Sequence, residues 1–265
     1  MNSDLWQHFS NHPEFKLKDG LFSFHDAAPS SSFEEQYLQL RSKEGRYYSD
    51  EIIKILPDVP STHLLRKEWA IRRSSAHKLA RWLKKQGPTT PTILDIGCGN
   101  GWLGNYLSNH FPAVYCGLDV NKAELEQAAR LFTRDQQIFF VYADISIIQL
   151  PKGQIDFIIL ASSVQYFNNL KWLITKLLSL LAPKGEIHIV DSPMYSITEA
   201  SNARERTRKY FEEKGFGKMN DWYHHHTWPD LESFQFEILS KPSHRIIRWI
   251  SNGSSTPFPW IKITA

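Results

Sequence analysis

The sequence predicts an α/β fold: a doubly wound, mostly parallel sheet with helices on both faces and a terminal antiparallel strand pair, preceded by an N-terminal hairpin and helical segments. Three observations predict it. From residue 92 onward, short apolar runs alternate with amphipathic stretches of helical period, the pattern of a parallel sheet covered on both faces. The first of those runs leads directly into a glycine-rich turn, ILDIGCGNGWLG (residues 93–104), as at the junction of a first strand and its helix. The last third carries β-rich segments, FEILSKP, HRIIRWI and PWIKITA, with no convincing helix between them, so two of them are expected to close the sheet as an antiparallel hairpin.

The elements follow in order. FKLKDGLFSF, residues 15–24, alternates apolar and polar around Asp19-Gly20, a strong short-range hairpin signal. A helical stretch from Phe33 to about Lys43 comes next, then a short helix ending before Pro57. Leu65, Trp69, Ala76, Leu79 and Leu83 recur at helical spacing and place a longer helix over 64–86, stopped by Gly87-Pro88. Strands are expected at 92–96, 114–119, 138–142, 155–161 and 186–191, with helices near 101–110, 121–133, 168–181 and 198–214. Residues 1–63 read as an extension that lids the rest. Residues 64–265 read as one ligand-binding domain whose 193–230 region supplies a second pocket.

Composition narrows the function classes. Hydrophobic residues make up 42% and charged residues 22%, ordinary for a globular protein. The net charge of +3, from 31 basic and 28 acidic residues, is too small to imply a nucleic-acid partner. The start, MNSDLWQHFSNHPEF, lacks a basic region followed by an apolar stretch, and no run approaches the roughly 18 apolar residues of a membrane span, so a cytoplasmic location is expected. Cys98 and Cys116 form neither a disulfide framework nor a zinc spacing, and no metal is expected.

The glycine turn contains two overlapping signatures: G-x-G-x-G on Gly97, Gly99 and Gly101, and the dinucleotide pattern G-x-G-x-x-G on Gly99, Gly101 and Gly104. Asp119 ends the next strand, where a carboxylate can accept hydrogen bonds from both ribose hydroxyls, and this fits either ligand type. YADI is more selective. It sets Asp144 and apolar Ile145 where an adenine ring would lie, the carboxylate facing the exocyclic amine.

From about residue 90 to 192 the chain resembles the class I S-adenosylmethionine-dependent methyltransferases. The matching pieces, in order, are ILDIGCGNGWLG, GLDVN, YADI, QIDFIILASSVQYF and LLSLLAPKGEIHIVD, the last with a lysine where the family often has a first glycine. Asp95, two residues before Gly97, also matches the family and is not required by the dinucleotide pattern. The resemblance implies S-adenosylmethionine as cofactor. It implies that Asp95, Gly97, Gly99 and Asn100 shape the methionine end and that Asp119 and Val120 hold the ribose side. It further implies that Asp144 and Ile145 frame the adenine, and that Ala161 to Gln165 line the methyl-donor side. Gly104 reads better as a helix–strand packing glycine than as a ligand contact.

Outside the matched stretch, Arg72 falls on or beside the buried stripe of the 64–86 helix, where a guanidinium needs a partner. That partner is the cofactor carboxylate, with Tyr47 or Tyr48 covering the same end, or an acidic side chain of the fold. DWYHHHTWPD, residues 221–230, is dense in aromatic and imidazole groups. Consecutive histidines converge poorly on a metal, so the segment reads either as a solvated loop or as an acceptor site in which His224, His225 or His226 takes a proton. The expected activity is methyl transfer to an oxygen or nitrogen of a small molecule. An NAD-dependent dehydrogenase and a non-catalytic nucleotide-binding or regulatory module are the alternatives. A nucleic-acid methyltransferase lacks support, since ASSVQYF occupies the place of the Asn-Pro-Pro-Tyr type motif.

Overall fold

The computed structural model of the protein describes residues 4–24, 31–134, 136–243 and 256–265. Its nine strands form one sheet in the order β1-β2-β5-β4-β3-β6-β7-β9-β8. The central strands are β3 (Thr92–Ile96), β4 (Val114–Asp119), β5 (Ile138–Tyr142), β6 (Ile155–Ala161) and β7 (Leu181–Val190), all paired parallel. The predicted hairpin forms as β1 (Phe15–Lys18) and β2 (Leu21–Phe24), turned at Asp19 and Gly20, both at positive φ. It does not stand apart: β2 pairs parallel with β5, Leu21 opposite Phe140, so the N-terminal segment lengthens the main sheet. At the far edge β9 (Trp260–Thr264) lies antiparallel between β7 and β8 (Gln235–Ser240). HRIIRWI, the third β-rich segment, lies outside the described residues.

Alternation along each strand divides the core between the two faces of the sheet. Leu94, Ile96, Cys116, Leu118, Phe139 and Val141 face one layer, with α7 (Leu170–Leu178) packed there through Leu170, Leu173, Ile174 and Leu177. Ile93, Tyr115, Ile138, Phe140, Phe157 and Ile159 face the other, under α4 (Arg66–Gln86), α5 (Trp102–Ser108) and α6 (Lys122–Phe132). Polar side chains start the helices: Asn121 Oδ1 accepts from the Glu124 N–H, and Asn169 Oδ1 from the Trp172 N–H. Ser196 and Glu199 form a reciprocal capping box at the start of α8 (Ile197–Lys214), which Gly215 ends in the left-handed conformation.

Two boundaries depart from the sequence expectation. The strand expected at 186–191 begins earlier, at Leu181, because Leu181 pairs with Ile155 ahead of a register break. The helix before it therefore stops at Leu178. The chain also opens with a helix that hydrophobic periodicity over eight residues was too short to announce, α1 (Asp4–Asn11). Its Leu5 and Phe9, one turn apart, are buried against the hairpin side of the sheet, and Trp6 stands edge-on to Phe22 and Phe139 at 4.9 and 5.1 Å. Two further helices, α2 (Ser31–Lys43) and α3 (Asp50–Ile55), connect the hairpin to α4.

Phe9 is wholly buried and touches Phe15, Phe22 and Phe139. Phe9→Ala is expected to lower unfolding free energy by about 3 kcal/mol in urea titration. A loss under about 1 kcal/mol would make α1 peripheral to the core.

Candidate functional site

The sheet changes winding direction at β3, whose neighbours are β4 and β6, and a crevice opens beyond the carboxyl ends of these strands. Two loops meet there. Gly97 has φ +75°, and a Cβ on it would lie 2.4 Å from the Ser163 Cβ. Only glycine lets the loop after β3 pass so close to the loop after β6, and Ser163 Oγ ties the two by donating to the Ile96 carbonyl at 2.6 Å. Gly104 carries out a different task. A Cβ there would fall 2.3 Å from the Tyr115 ring, so it fits α5 against β4, and it lines none of the cavities described below.

Two small cavities of about 110 and 100 Å³ adjoin across this turn and share Tyr37, Gly97, Gly99 and Ser162. The second has apolar walls from Ile96, Leu118, Ile145 and Phe167, with the Asp119 and Asp144 carboxylates and Val120 at its rim. Asp119 Oδ2 accepts from the Gly99 N–H at 2.7 Å and Oδ1 from the Asn121 N–H at 2.8 Å, so the carboxylate is aimed by backbone before any ligand arrives. Asp144 is fixed likewise by the Ser146 N–H at 2.7 Å. The cavity thus has an apolar floor with two backbone-held carboxylates beside it, a shape that suits a flat heterocycle (the heterocycle slot below).

The first cavity is polar. It holds Asp95, Asn100, Glu124, Glu68 and Ala161 together with Arg41, Arg46 and Arg72. Asp95 Oδ2 accepts from the Tyr115 hydroxyl at 2.6 Å, but Oδ1 is buried with no partner among the described residues. An orphaned buried carboxylate oxygen demands a donor. Burial pushes Asp95 up to about 7, and burial together with the nearby Asp119 charge does the same for Glu124. A cationic amine at this end would supply the missing donor and let both carboxyls ionise. Arg72 spends Nε and Nη2 on Glu68 Oε1, each at 3.2 Å, and still lines the cavity. Both sequence alternatives for this arginine thus meet in one place. Tyr48 also lines the cavity, its hydroxyl accepting from Trp69 Nε1 at 3.1 Å, whereas Tyr47 is half exposed and lines none of the cavities described here.

A third cavity, about 820 Å³, opens from the first two. Ser162 lines all three, Arg41 and Arg72 line the polar cavity and this one, and Tyr166 lines the heterocycle slot and this one. Gln165 faces it, with Nε2 donating to the Ser162 carbonyl at 2.6 Å and Oε1 buried without a partner. Its far wall is built by Pro193, Tyr195, Arg206, Thr207, Tyr210 and Phe211, the region after β7. Asp191 stands at the carboxyl end of β7 in the same cavity, with Ser75 Oγ donating to its Oδ1 at 2.6 Å.

Backbone strain gathers at this junction. Among the described residues four non-glycine positions have positive φ; Asp19 lies in the hairpin turn and Lys184 in the register break of β7, and the other two are Ser162 (φ 56°) and Asp191 (φ 51°). Each directly follows a strand, and Ser162 Oγ donates to the Asp191 carbonyl at 2.9 Å, joining them. Such positions cost about 1–3 kcal/mol each and persist where a site needs them.

His224, His225 and His226 are placed elsewhere. They line a separate cavity of about 860 Å³ with Lys171, Arg204 and Arg208. His226 Nε2 donates to the Val164 carbonyl at 3.0 Å, and the His225 ring nitrogen is 2.8 Å from Thr207 Oγ1. Burial, helped by Arg204, pushes His225 down to about 4. The sequence reading passed over Tyr37, Arg41, Glu124 and Asp191. Only Asp191 carried a usable signal, since ligands collect at the carboxyl ends of parallel strands.

Comparison with known proteins agrees with this geometry. Residues 93–185 match the family described as a methyltransferase domain. The chain is 32% identical over 119 residues to a malonyl-[acyl-carrier protein] O-methyltransferase of Priestia megaterium, covering 44% of this chain and 43% of that protein. It is 30% identical over 133 residues to the enzyme of that name from Halalkalibacterium halodurans, covering 47% and 49%. The chain therefore spans about half the length of these curated relatives. Of solved structures, geranyl diphosphate C-methyltransferase from Streptomyces coelicolor A3(2), in complex with S-adenosyl-L-homocysteine, gives a TM-score of 0.55 at 13% identity, covering 89% of this chain and 98% of that one. The plantazolicin methyltransferase BpumL in complex with SAH gives 0.54 at 18%, covering 88% and 95%. These two likenesses show the fold. The glycine turn and the carboxylates after β4 and β5 lie inside the stretch, residues 93–185, that is similar to the methyltransferase domain family.

Proposed function

We propose that this protein transfers the methyl group of S-adenosylmethionine to an oxygen or nitrogen of a small molecule held in the 820 Å³ cavity. The observation that carries this reading is the sharing of Ser162 by all three cavities, which joins the two small cavities at the glycine turn to the larger one at a single residue. The names of the curated relatives favour oxygen as the acceptor atom.

When bound, S-adenosylmethionine supplies a methyl group already activated on a sulfonium, so the protein's part is alignment, exclusion of water and removal of a proton. Asp119 takes the ribose hydroxyls, Asp144 and Ile145 the adenine, and Asp95 Oδ1 the ammonium. Arg72 takes the carboxylate, keeping its ion pair with Glu68. Residues 1–63 serve as the wall and lid over this cleft, α2 supplying Tyr37 and Arg41. The 193–230 region supplies the acceptor pocket.

Proton removal falls to Asp191 rather than to His224, His225 or His226, because Asp191 lines the 820 Å³ cavity, whereas the histidines line the cavity beyond Tyr223, with the His226 ring engaged by the Val164 carbonyl and the His225 ring by Thr207. Burial raises the Asp191 carboxyl, opposed by Arg72 and the Ser75 hydroxyl, so it becomes a stronger base than an exposed carboxylate. The nucleophile would take the methyl carbon as the bond from that carbon to sulfur breaks, S-adenosylhomocysteine being the leaving group, and the nucleophile's proton would pass to Asp191.

In calorimetric titration, S-adenosylmethionine and S-adenosylhomocysteine should bind and NAD should not, and Asp119→Ala should weaken binding by at least about tenfold, roughly 1.4 kcal/mol. Binding of NAD alone would overturn the reading. Asp191→Asn should lower kcat by about 100-fold with S-adenosylhomocysteine affinity unchanged, while alanine at each of His224, His225 and His226 leaves turnover intact. Wild-type activity should fall with acid through a pKa above the ordinary carboxylate range; a flat profile shared by wild type and Asp191→Asn would place the proton elsewhere.

Glu124 gives a pH prediction. Its carboxyl rises from 4.5 to about 7 in the fold, so the folded state binds more protons between those values and stability falls as pH rises across them. Glu124→Gln removes that dependence. The urea midpoint of the variant relative to wild type should increase from pH 5 to pH 7 and then level off, and a difference independent of pH would refute the assignment.

A further inference from the structure

The charge inside the acceptor cavity is not balanced by its own side chains. Arg41, Arg46, Arg72, Arg206 and Lys67 face it, against the carboxyl groups of Glu44, Glu68 and Asp191. Two of those carboxylates are shared among the first three arginines. Glu44 Oε2 accepts from Arg41 Nη1 at 3.1 Å and from Arg46 Nε at 3.0 Å, and Glu68 Oε1 accepts from Arg46 and Arg72. Arg41 spends Nη2 on the Tyr166 hydroxyl at 3.1 Å and stacks on the Tyr37 ring. Arg206 and Lys67 have no carboxylate within 4.0 Å among the described residues, so they stay unpaired after Arg72 has taken the cofactor carboxylate.

The third carboxyl does not restore neutrality. Even with Asp191 ionised, five basic side chains face three carboxylates. The cavity therefore carries unspent positive charge in a cleft, the arrangement that concentrates an anionic ligand. Its apolar walls, Leu40, Ile71, Phe211 and Phe258, require that the anion carry a hydrocarbon body. The nearby carboxylates of Glu44 and Glu68 repel a second negative charge and so favour a monoanion over a phosphate dianion.

We infer that the methyl acceptor is an organic carboxylate with an apolar body, its anionic group recruited by the Arg206 side of the cavity and its body packed against Ile71 and Phe211. This rests on the reading of the cavity as the acceptor site. Arg206 comes from α8 and Lys67 from α4, so the cavity is open to its acceptor between two helices while the cofactor cleft lies behind.

The test is calorimetric titration of the protein saturated with S-adenosylhomocysteine. The probes are benzoate, phenylacetate and 4-phenylbutyrate, with phenylacetamide, phenethylamine and phenyl phosphate as charge controls. At least one carboxylate should bind, the amide at least about tenfold more weakly and the amine not detectably. Arg206→Gln combined with Lys67→Gln, two exposed positions, should weaken carboxylate binding about tenfold with S-adenosylhomocysteine affinity unchanged. Equal binding of the amide, preference for the amine, tighter binding of phenyl phosphate, or no binding of any carboxylate would each overturn the inference. Failure of S-adenosylhomocysteine itself to bind would instead remove the acceptor-site reading, and the inference with it.

Discussion

The whole site depends on one close approach, the passage of the Gly97 backbone against Ser163. The loops after β3 and β6 can meet at that distance only because position 97 has no side chain and tolerates a left-handed φ. With the approach made, Ser163 Oγ reaches the Ile96 carbonyl, the strained Ser162 is held at the seam, and the heterocycle slot, the polar cavity and the acceptor cavity meet at one residue. A side chain at 97 would push the two loops apart and separate the donor half from the acceptor half. The parallel sheet supplies the frame. It brings the ends of β3, β4, β6 and β7 to one edge, so that residues 97, 119, 162 and 191 become neighbours despite their separation in the chain.

Around that seam the protein keeps carboxyl groups in surroundings that disfavour their charge. Asp95 and Glu124 are both raised to about 7 by burial, and one oxygen of Asp95 has no donor. A pocket arranged in this way disfavours ionisation of its carboxyls in the absence of a cation. Asp119 differs. Two backbone N–H groups hold its oxygens, and it is a fixed acceptor rather than a frustrated one. The donors of Gly99 and Asn121 explain why the glycine turn and the carboxylate act as a unit.

The acceptor side is organised by the opposite charge. Arg41 on α2, Arg46 in the following loop and Arg72 on α4 are laced through Glu44 and Glu68, and the Tyr210 hydroxyl of α8 donates to Glu44. This network joins three helices distant in sequence across the mouth of the cavity. Partly buried, such a network costs desolvation as well as giving Coulombic attraction, so its value is geometric: it fixes which arginine edges remain for a ligand. An aromatic group from α2, the loop after β6 and the segment after α8, with Phe33, Tyr37, Tyr166, Trp222 and Tyr223, packs together and gives α2 an apolar anchor.

The fold was legible because its signals are local. Strand and helix periods from 92 to 190, the Asp19-Gly20 turn and the glycine-rich junction each depend on neighbouring residues, and the gathering of Asp95, Gly97, Gly99, Asp119 and Asp144 around adjoining cavities follows because they sit at strand ends that local pattern can locate. The joining of the hairpin to β5, the helix at 4–11 and the start of β7 at Leu181 needed long-range partners, and periodicity does not report those. The same limit governs the acceptor half. A run such as His224-His225-His226 is conspicuous in sequence yet faces a different cavity, while Arg41, Arg206 and Asp191, each inconspicuous alone, converge on the cleft from separate elements. Sequence by itself determined the doubly wound sheet and the cofactor-binding edge, because hydrophobic period and glycine placement are encoded over a few residues. Tertiary structure alone decided which charges meet across the acceptor cavity, because that depends on the packing of helices whose relative positions no short stretch of chain specifies.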